Sequence, residues 1–277
     1  MSLCIVLIAQ LDNDTSPLAA EITPEFLTRS AAAFQIQLNR DVAPAWPYAV
    51  GAVVRAGSGP NDVGTGETPA TVVPTLDNAP GAVAYHDDET PDGQPDEFLA
   101  LDQCGGPNDV TLAQSHENNE VCSDPECNVW ATVPAGLPSY PSGVSAGMQI
   151  ALENADPVQD RTYPVDPGDG GPPVMCSDFC LPAYFDVAAT GPTTQGEALG
   201  LLPRIDPFQR SPGGYQIARN ADGSGETQVF GTSVKADRLR AGLHHANSRA
   251  ARRGIKTRYQ KAADREAPTD PAAGRSE

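Results

Sequence analysis

The chain has 277 residues and a mass of 29.0 kDa, with 39% hydrophobic residues and a formal net charge of −18, which suits one sizeable core or a domain with an appendage. The charge is uneven: residues 235–277 hold 11 Lys and Arg against 5 Asp and Glu, leaving 7 against 31 before them, and an acidic body argues against wide nucleic-acid contact there. The 27 prolines and 26 glycines exclude a plain helical bundle and point to a loop-rich α+β fold.

The apolar run from Leu3 to Leu11 is too short to span a membrane, has no basic lead and runs straight into acidic residues. It reads as a buried strand rather than a signal peptide or anchor, and no later segment reaches membrane-spanning length. The expectation is synthesis in the cytoplasm. Thr23-Pro24-Glu25 then predicts a helix over about 24–40, with Thr23 as cap and Pro24 at the first helical position. Phe26, Leu27, Ser30, Phe34, Ile36 and Leu38 form its stripe, and Pro44 ends it. Residues 49–55 predict a strand and 57–68 a polar loop.

The segment 85–101 places Pro91-Asp92-Gly93 between Tyr85-His86 and an apolar run from Phe98 to Leu101, predicting a hairpin or edge strand. Asn108-Asp109 predicts the cap of a helix over about 109–122, closed by Pro125. On that helix lies SHENNEVCSDP, residues 115–125, with His116, Glu117 and Glu120 spaced as HExxE. Residues four apart share a helix face, so the His116 imidazole and Glu120 carboxylate can grip one metal ion with Glu117 beside it. This is the zincin pattern with glutamate in place of the second histidine. By chance such a motif arises in about one chain in a hundred of this composition, so a solvated acidic helix is the alternative.

After Trp130 the chain reads as irregular until a short strand at 149–153. Residues 174–185 follow a glycine-rich loop and carry aromatics expected to pack near the site, and PGGYQIARNADGSGETQVFG (212–231) predicts a hairpin turning at Asp222-Gly223. The Gly-Asp loops at 166–171 and 222–225 lack the alternating donors of an EF-hand and read as turns. Cys4, Cys104, Cys122, Cys127, Cys176 and Cys180 have spacings too loose for a zinc ribbon, and isolated core thiols are expected ahead of disulfides or a Cys4 metal site.

Beyond Val234 the pattern becomes a basic helix. Arg249, Arg252, Arg253, Lys256 and Arg258 are candidates for contact with an acidic partner surface or nucleic acid, against the alternative of a solvated helix with a disordered end. The predicted organisation is therefore a body over 1–234 and a basic tail over 235–277.

YHDDETPDGQP, SHENNEVCSDP, ADPVQD, SDFCLPAYFD and PGGY occur in that order, after AAAFQIQLNRDVAPAWP. The arrangement resembles a family of zincin-like proteins of tailed phages and bacterial prophages, over roughly residues 3–232. The resemblance implies a zincin-like domain with a mixed sheet, an N-terminal helix and a metal-site helix. It implies His116, Glu120 and a downstream Asp156 as metal ligands and Glu117 as general base, with Asp124 and Asp160 as rival donors and His86 beside the site. Gln159 stands where that family has an acid, which puts a ligand or its outer hydrogen bond in doubt.

Two functions follow from the resemblance. One is a zinc metallopeptidase acting on peptide, with His86 or Tyr163 as candidate oxyanion stabilisers. The other is a virion-associated structural component among other virion subunits, in which zinc, calcium or another divalent ion ties the scaffold together.

Overall fold

In the computed structural model, which describes residues 3–46, 51–79, 81–87 and 95–231, the first apolar run forms β1 (Leu3–Ala9). Ile5, Val6, Leu7 and Ile8 are all fully buried, as a strand covered on both faces requires. β2 (Ala52–Ala56) and β3 (Thr68–Val73) flank β1 in parallel. β4 (Ala84–Asp87) runs antiparallel to β5 (Asp96–Ala100), which is itself parallel to β3. The five-stranded sheet is thus mixed, in the order β2-β1-β3-β5-β4, with β4 at its edge.

Two helices follow β1, α1 (Pro17–Glu21) and α2 (Pro24–Gln37). In α2 the Thr23 hydroxyl accepts from Phe26 N at 3.1 Å, the cap expected from the Thr-Pro pair. Regular α geometry stops at Gln37, earlier than residue 40, because Leu38–Val42 forms a π-helical turn leading into α3 (Ala43–Ala45). That turn directs Asp41 inward, where its carboxylate accepts from Arg40 Nε at 2.7 Å and from the Tyr163 hydroxyl at 2.9 Å. Gln37 Nε2 donates to the same hydroxyl at 3.0 Å.

α4 (Pro107–Ser123) starts at Pro107 rather than at residue 109. Its cap is Gly106 and not Asn108-Asp109: a proline at the first helical position fixes φ for the first turn, and Asp109 instead accepts from Gly105 N at 2.7 Å. Thirteen of its residues are buried, although most are polar. Hydroxyls spaced along one face dock it on β9: Thr111 donates to Met175 O at 2.8 Å, and Ser115 Oγ accepts from Ser177 N at 2.7 Å.

β6 (Trp130–Thr132), expected to be irregular, pairs with β7 (Gln149–Ala151); three residues are too few to show a strand period. The hairpin β8 (Thr162–Val165) and β9 (Val174–Ser177) lies against α2 and α4. A short α5 (Gln195–Ala198) precedes β10 (Tyr215–Arg219) and β11 (Thr227–Phe230). The second sheet is antiparallel, ordered β11-β10-β7-β6, and its hairpin turns through Gly223 at φ 82°. The basic tail residues Arg249, Arg252, Arg253, Lys256 and Arg258, and the turn at Pro91-Asp92-Gly93, lie outside the described residues.

The main core joins the first sheet, α2, α4 and the β8–β9 hairpin through Ile5, Leu7, Phe34, Leu99, Val110 and Tyr163. The aromatic block after β9 fills a second core: Tyr184, Phe185 and Phe208 have ring centroids 4.9–6.2 Å apart. No disulfide joins any of the six cysteines, and burial pushes the Cys122 and Cys176 thiols up.

Glu67 ties the first three strands together at one end. It accepts from Arg55 Nη2 at 2.6 Å, Gly64 N at 2.7 Å and Cys4 Sγ at 3.1 Å. The Arg55 and Gly64 hydrogen bonds pull its carboxyl from 4.5 down to about 2. A depressed carboxyl stabilises the fold above the unfolded value and loses that contribution as pH falls through the folded one. Glu67→Gln is therefore expected to lower stability by about 1 kcal/mol at neutral pH after screening of a partly exposed pair. The difference from the native chain should shrink between pH 4.5 and 2 in urea titrations, and an unchanged difference across that window would refute the assignment.

Candidate metal centre

The site is built where α4, the β4–β5 pair and the turn after β7 meet. His116 and Glu120, one turn apart on α4, face the Asp156–Val158 3-10 turn. His116 Nε2 lies 3.3 Å from Glu120 Oε1 and 3.1 Å from Asp156 Oδ1, and Asp156 N donates to Glu120 Oε1 at 3.2 Å. A residue 36 positions downstream of Glu120 thus reaches the helix face. One donor atom from each of the three lies within 4.8 Å of the others.

The turn is held from behind by the PGGY segment. Ser211 N donates to Pro157 O at 2.9 Å. A Cβ on Gly214 would sit 2.1 Å from the same oxygen, and one on Gly213 would sit 2.5 Å from Asp160 Cβ. Both glycines are needed for this close approach.

The electrostatics are dominated by burial. His116 is 5% exposed and Glu120 and Asp156 are each 1% exposed. Burial raises the Glu120 carboxyl, with His116 opposing the shift, and raises Asp156 well above the carboxylate range with Glu120 adding to it. Burial pulls His116 down, but Glu120 and Asp156 outweigh it and hold the imidazole well above its ordinary value. Buried Glu153 adds further negative charge to both acids. Asp156 Oδ2 is buried with no hydrogen-bond partner among the described residues. One imidazole and two carboxylates around an orphaned oxygen fit a divalent cation.

Glu117 lies beside Glu120 and turns toward β4. Its Oε2 lies 3.1 Å from His86 Nδ1 on β4, so His86 orients the expected base rather than facing an oxyanion directly. His86 Nε2 in turn meets Cys127 Sγ at 2.9 Å. Burial opposes its charge, yet Cys127 and Glu117 together hold the His86 pKa well above the usual value.

The other candidates serve elsewhere. Asp124 is the residue after α4, and its two oxygens accept from Asn128 N and Val129 N, each at 3.0 Å. Asp160 accepts from the Ser211 hydroxyl and from Gly213 N; it braces the turn that carries Asp156. Tyr163 is fully buried on Asp41 and Gln37, away from the triad. The buried Oε1 of Gln159 has no partner among the described residues. Sequence reasoning missed Cys127, Glu97 and Glu153, which are brought in by strand register and loop path rather than by any motif.

Among the described residues no helix is long and apolar enough to cross a membrane. No family model matches the chain, and neither a curated protein nor a solved structure matches it.

Proposed function

We propose that the protein is a zincin-like metal-binding protein with a hydrolytic centre acting on peptide bonds, its ion held by His116, Glu120 and Asp156. The convergence of these three donors within 4.8 Å carries the reading. The mixed sheet, with its antiparallel edge strand β4 packed next to α4, supports it.

When bound, a zinc ion there would supply Lewis-acid polarisation of the scissile carbonyl and make water more acidic. Glu117 takes a proton from the attacking water and passes it to the departing amine. His86, 3.1 Å away, keeps the Glu117 carboxylate aimed and limits its rotation. The near-complete burial of Glu120 and Asp156 keeps water from competing for their oxygens.

Replacement of a neutral histidine by Glu120 makes the donor set richer in negative charge, which weakens Lewis acidity. That observation favours a second reading, in which zinc, calcium or another divalent ion only ties α4 to the Asp156 turn in a virion component of phage type. Metal analysis of the purified protein together with Glu117→Gln separates the two. A peptidase is expected to contain zinc and to lose about 100-fold or more of its hydrolysis of a denatured protein in the variant, with at least one ion retained. A metal-loaded native protein that cleaves nothing supports the structural reading instead.

A further inference from the structure

Beside Glu120 lie further donors, His86, Glu117 and Glu97, none of which is a ligand of the His116 centre. We propose that His86, Glu117, Glu120 and Glu97 form a second divalent-cation site, with the Glu120 carboxylate bridging two ions. The proposal rests on the first centre in sharing Glu120.

The geometry divides Glu120 between two imidazoles. Its Oε1 is 3.3 Å from His116 Nε2, whereas its Oε2 is 3.7 Å from His86 Nδ1. His86, Glu117 and Glu120 each offer one donor atom within 4.8 Å of the others, as the first triad does. His86 Nε2 is already engaged by Cys127 Sγ at 2.9 Å, so Nδ1 is the nitrogen presented to the two carboxylates. A metal-binding histidine is oriented through its second ring nitrogen in just this manner.

Glu97 supplies an independent observation. It is the Cα partner of His86 across the β4–β5 pair, and residues directly opposite in an antiparallel pair project from the same face. Its side chain therefore emerges beside His86, on the face turned to α4. Glu97 is 2% exposed, and neither of its carboxylate oxygens has a hydrogen-bond partner among the described residues. A buried carboxylate without a partner is costly. A single proton on His86 Nδ1 serves Glu117 at 3.1 Å and leaves both oxygens of Glu97 unserved. An ion held by His86, Glu117 and Glu120, whose donor atoms lie within 4.8 Å of one another, would put positive charge beside the unpartnered Glu97 carboxylate, and Glu117 would contribute through Oε2 alone. One imidazole with carboxylates suits zinc or manganese.

The test is metal content of the full chain, stripped of metal and dialysed against Zn²⁺ or Mn²⁺. The native protein is expected to bind about two ions, and His86→Ala and Glu97→Gln about one, with affinity for the second ion lowered about 10- to 100-fold or more. Glu97→Gln is nearly isosteric, so it decides the matter if His86→Ala fails to fold. One ion in the native chain, or two ions retained by either folded variant, overturns the bridged site and leaves the His116 centre standing. No bound ion in the native chain overturns both.

Discussion

Truncation of His116 to alanine is expected to lower divalent-metal affinity about 100-fold or more, because it removes the only nitrogen donor of the triad and because even outer-shell losses cost 10- to 100-fold. The effect on folding differs with and without metal. In the metal-free chain, His116 Nε2 stands 3.3 Å and 3.1 Å from two buried carboxylates, and its loss leaves them facing each other. A destabilisation of about 1–3 kcal/mol follows from the stranded partners. Zinc at about 100 times its dissociation constant should stabilise the native chain through this centre by about 2.7 kcal/mol, a contribution the variant lacks. Thermal melts with and without zinc measure both quantities. Equal zinc-induced shifts in native and variant proteins would remove His116 from the centre.

Phe34→Ala is expected to cost about 3–5 kcal/mol with the protein still metal-responsive in its folded fraction. Phe34 is fully buried in the last turn of α2, in the core shared by the first sheet, the β8–β9 hairpin and α4. Because the backbone on all sides is fixed by sheet and helix hydrogen bonds, collapse around the missing ring is limited, and the cavity term adds to the lost transfer energy. A domain whose stability is about 5–15 kcal/mol loses a large part of it. Urea denaturation should show a lower midpoint with an unchanged slope. A loss under about 1 kcal/mol would mean that the site repacks and that α2 is not held as rigidly as its burial indicates.

These two residues also mark what could be read before the structure. Phe34 belongs to a local pattern: a Thr-Pro start and an apolar stripe mark α2 without reference to the rest of the chain, although Pro44, expected to end it, falls inside α3 and α2 stops at Gln37. β1 and the Asp222-Gly223 hairpin are legible for the same reason. His116 and Glu120 share a helix face by spacing alone, and the ordered resemblance supplied Asp156. What could not be read was non-local. Nothing in SHENNEVCSDP says that β9, β4 and β5 enclose α4 so fully that its polar residues become interior. The partnership of His86 with Glu117 depends on the path of the chain between β4 and α4, and that of His86 with Glu97 depends on register. Asp124 and Asp160 look like donors in sequence because any acid near a motif does. Their oxygens are taken by nearby groups, chiefly backbone amides at the end of α4 and in the PGGY turn, a competition that composition does not reveal.

The contact between Gly214 and the Pro157 carbonyl carries one more consequence. Because a Cβ there would fall 2.1 Å from that oxygen, the β10 backbone lies directly against the turn that presents Asp156, and the Ser211 amide locks the same carbonyl. The third donor is therefore immobilised when the chain folds, long before an ion arrives. The conformational entropy of ordering that loop is charged to folding, so an ion entering the proposed centre would meet its third donor already in place.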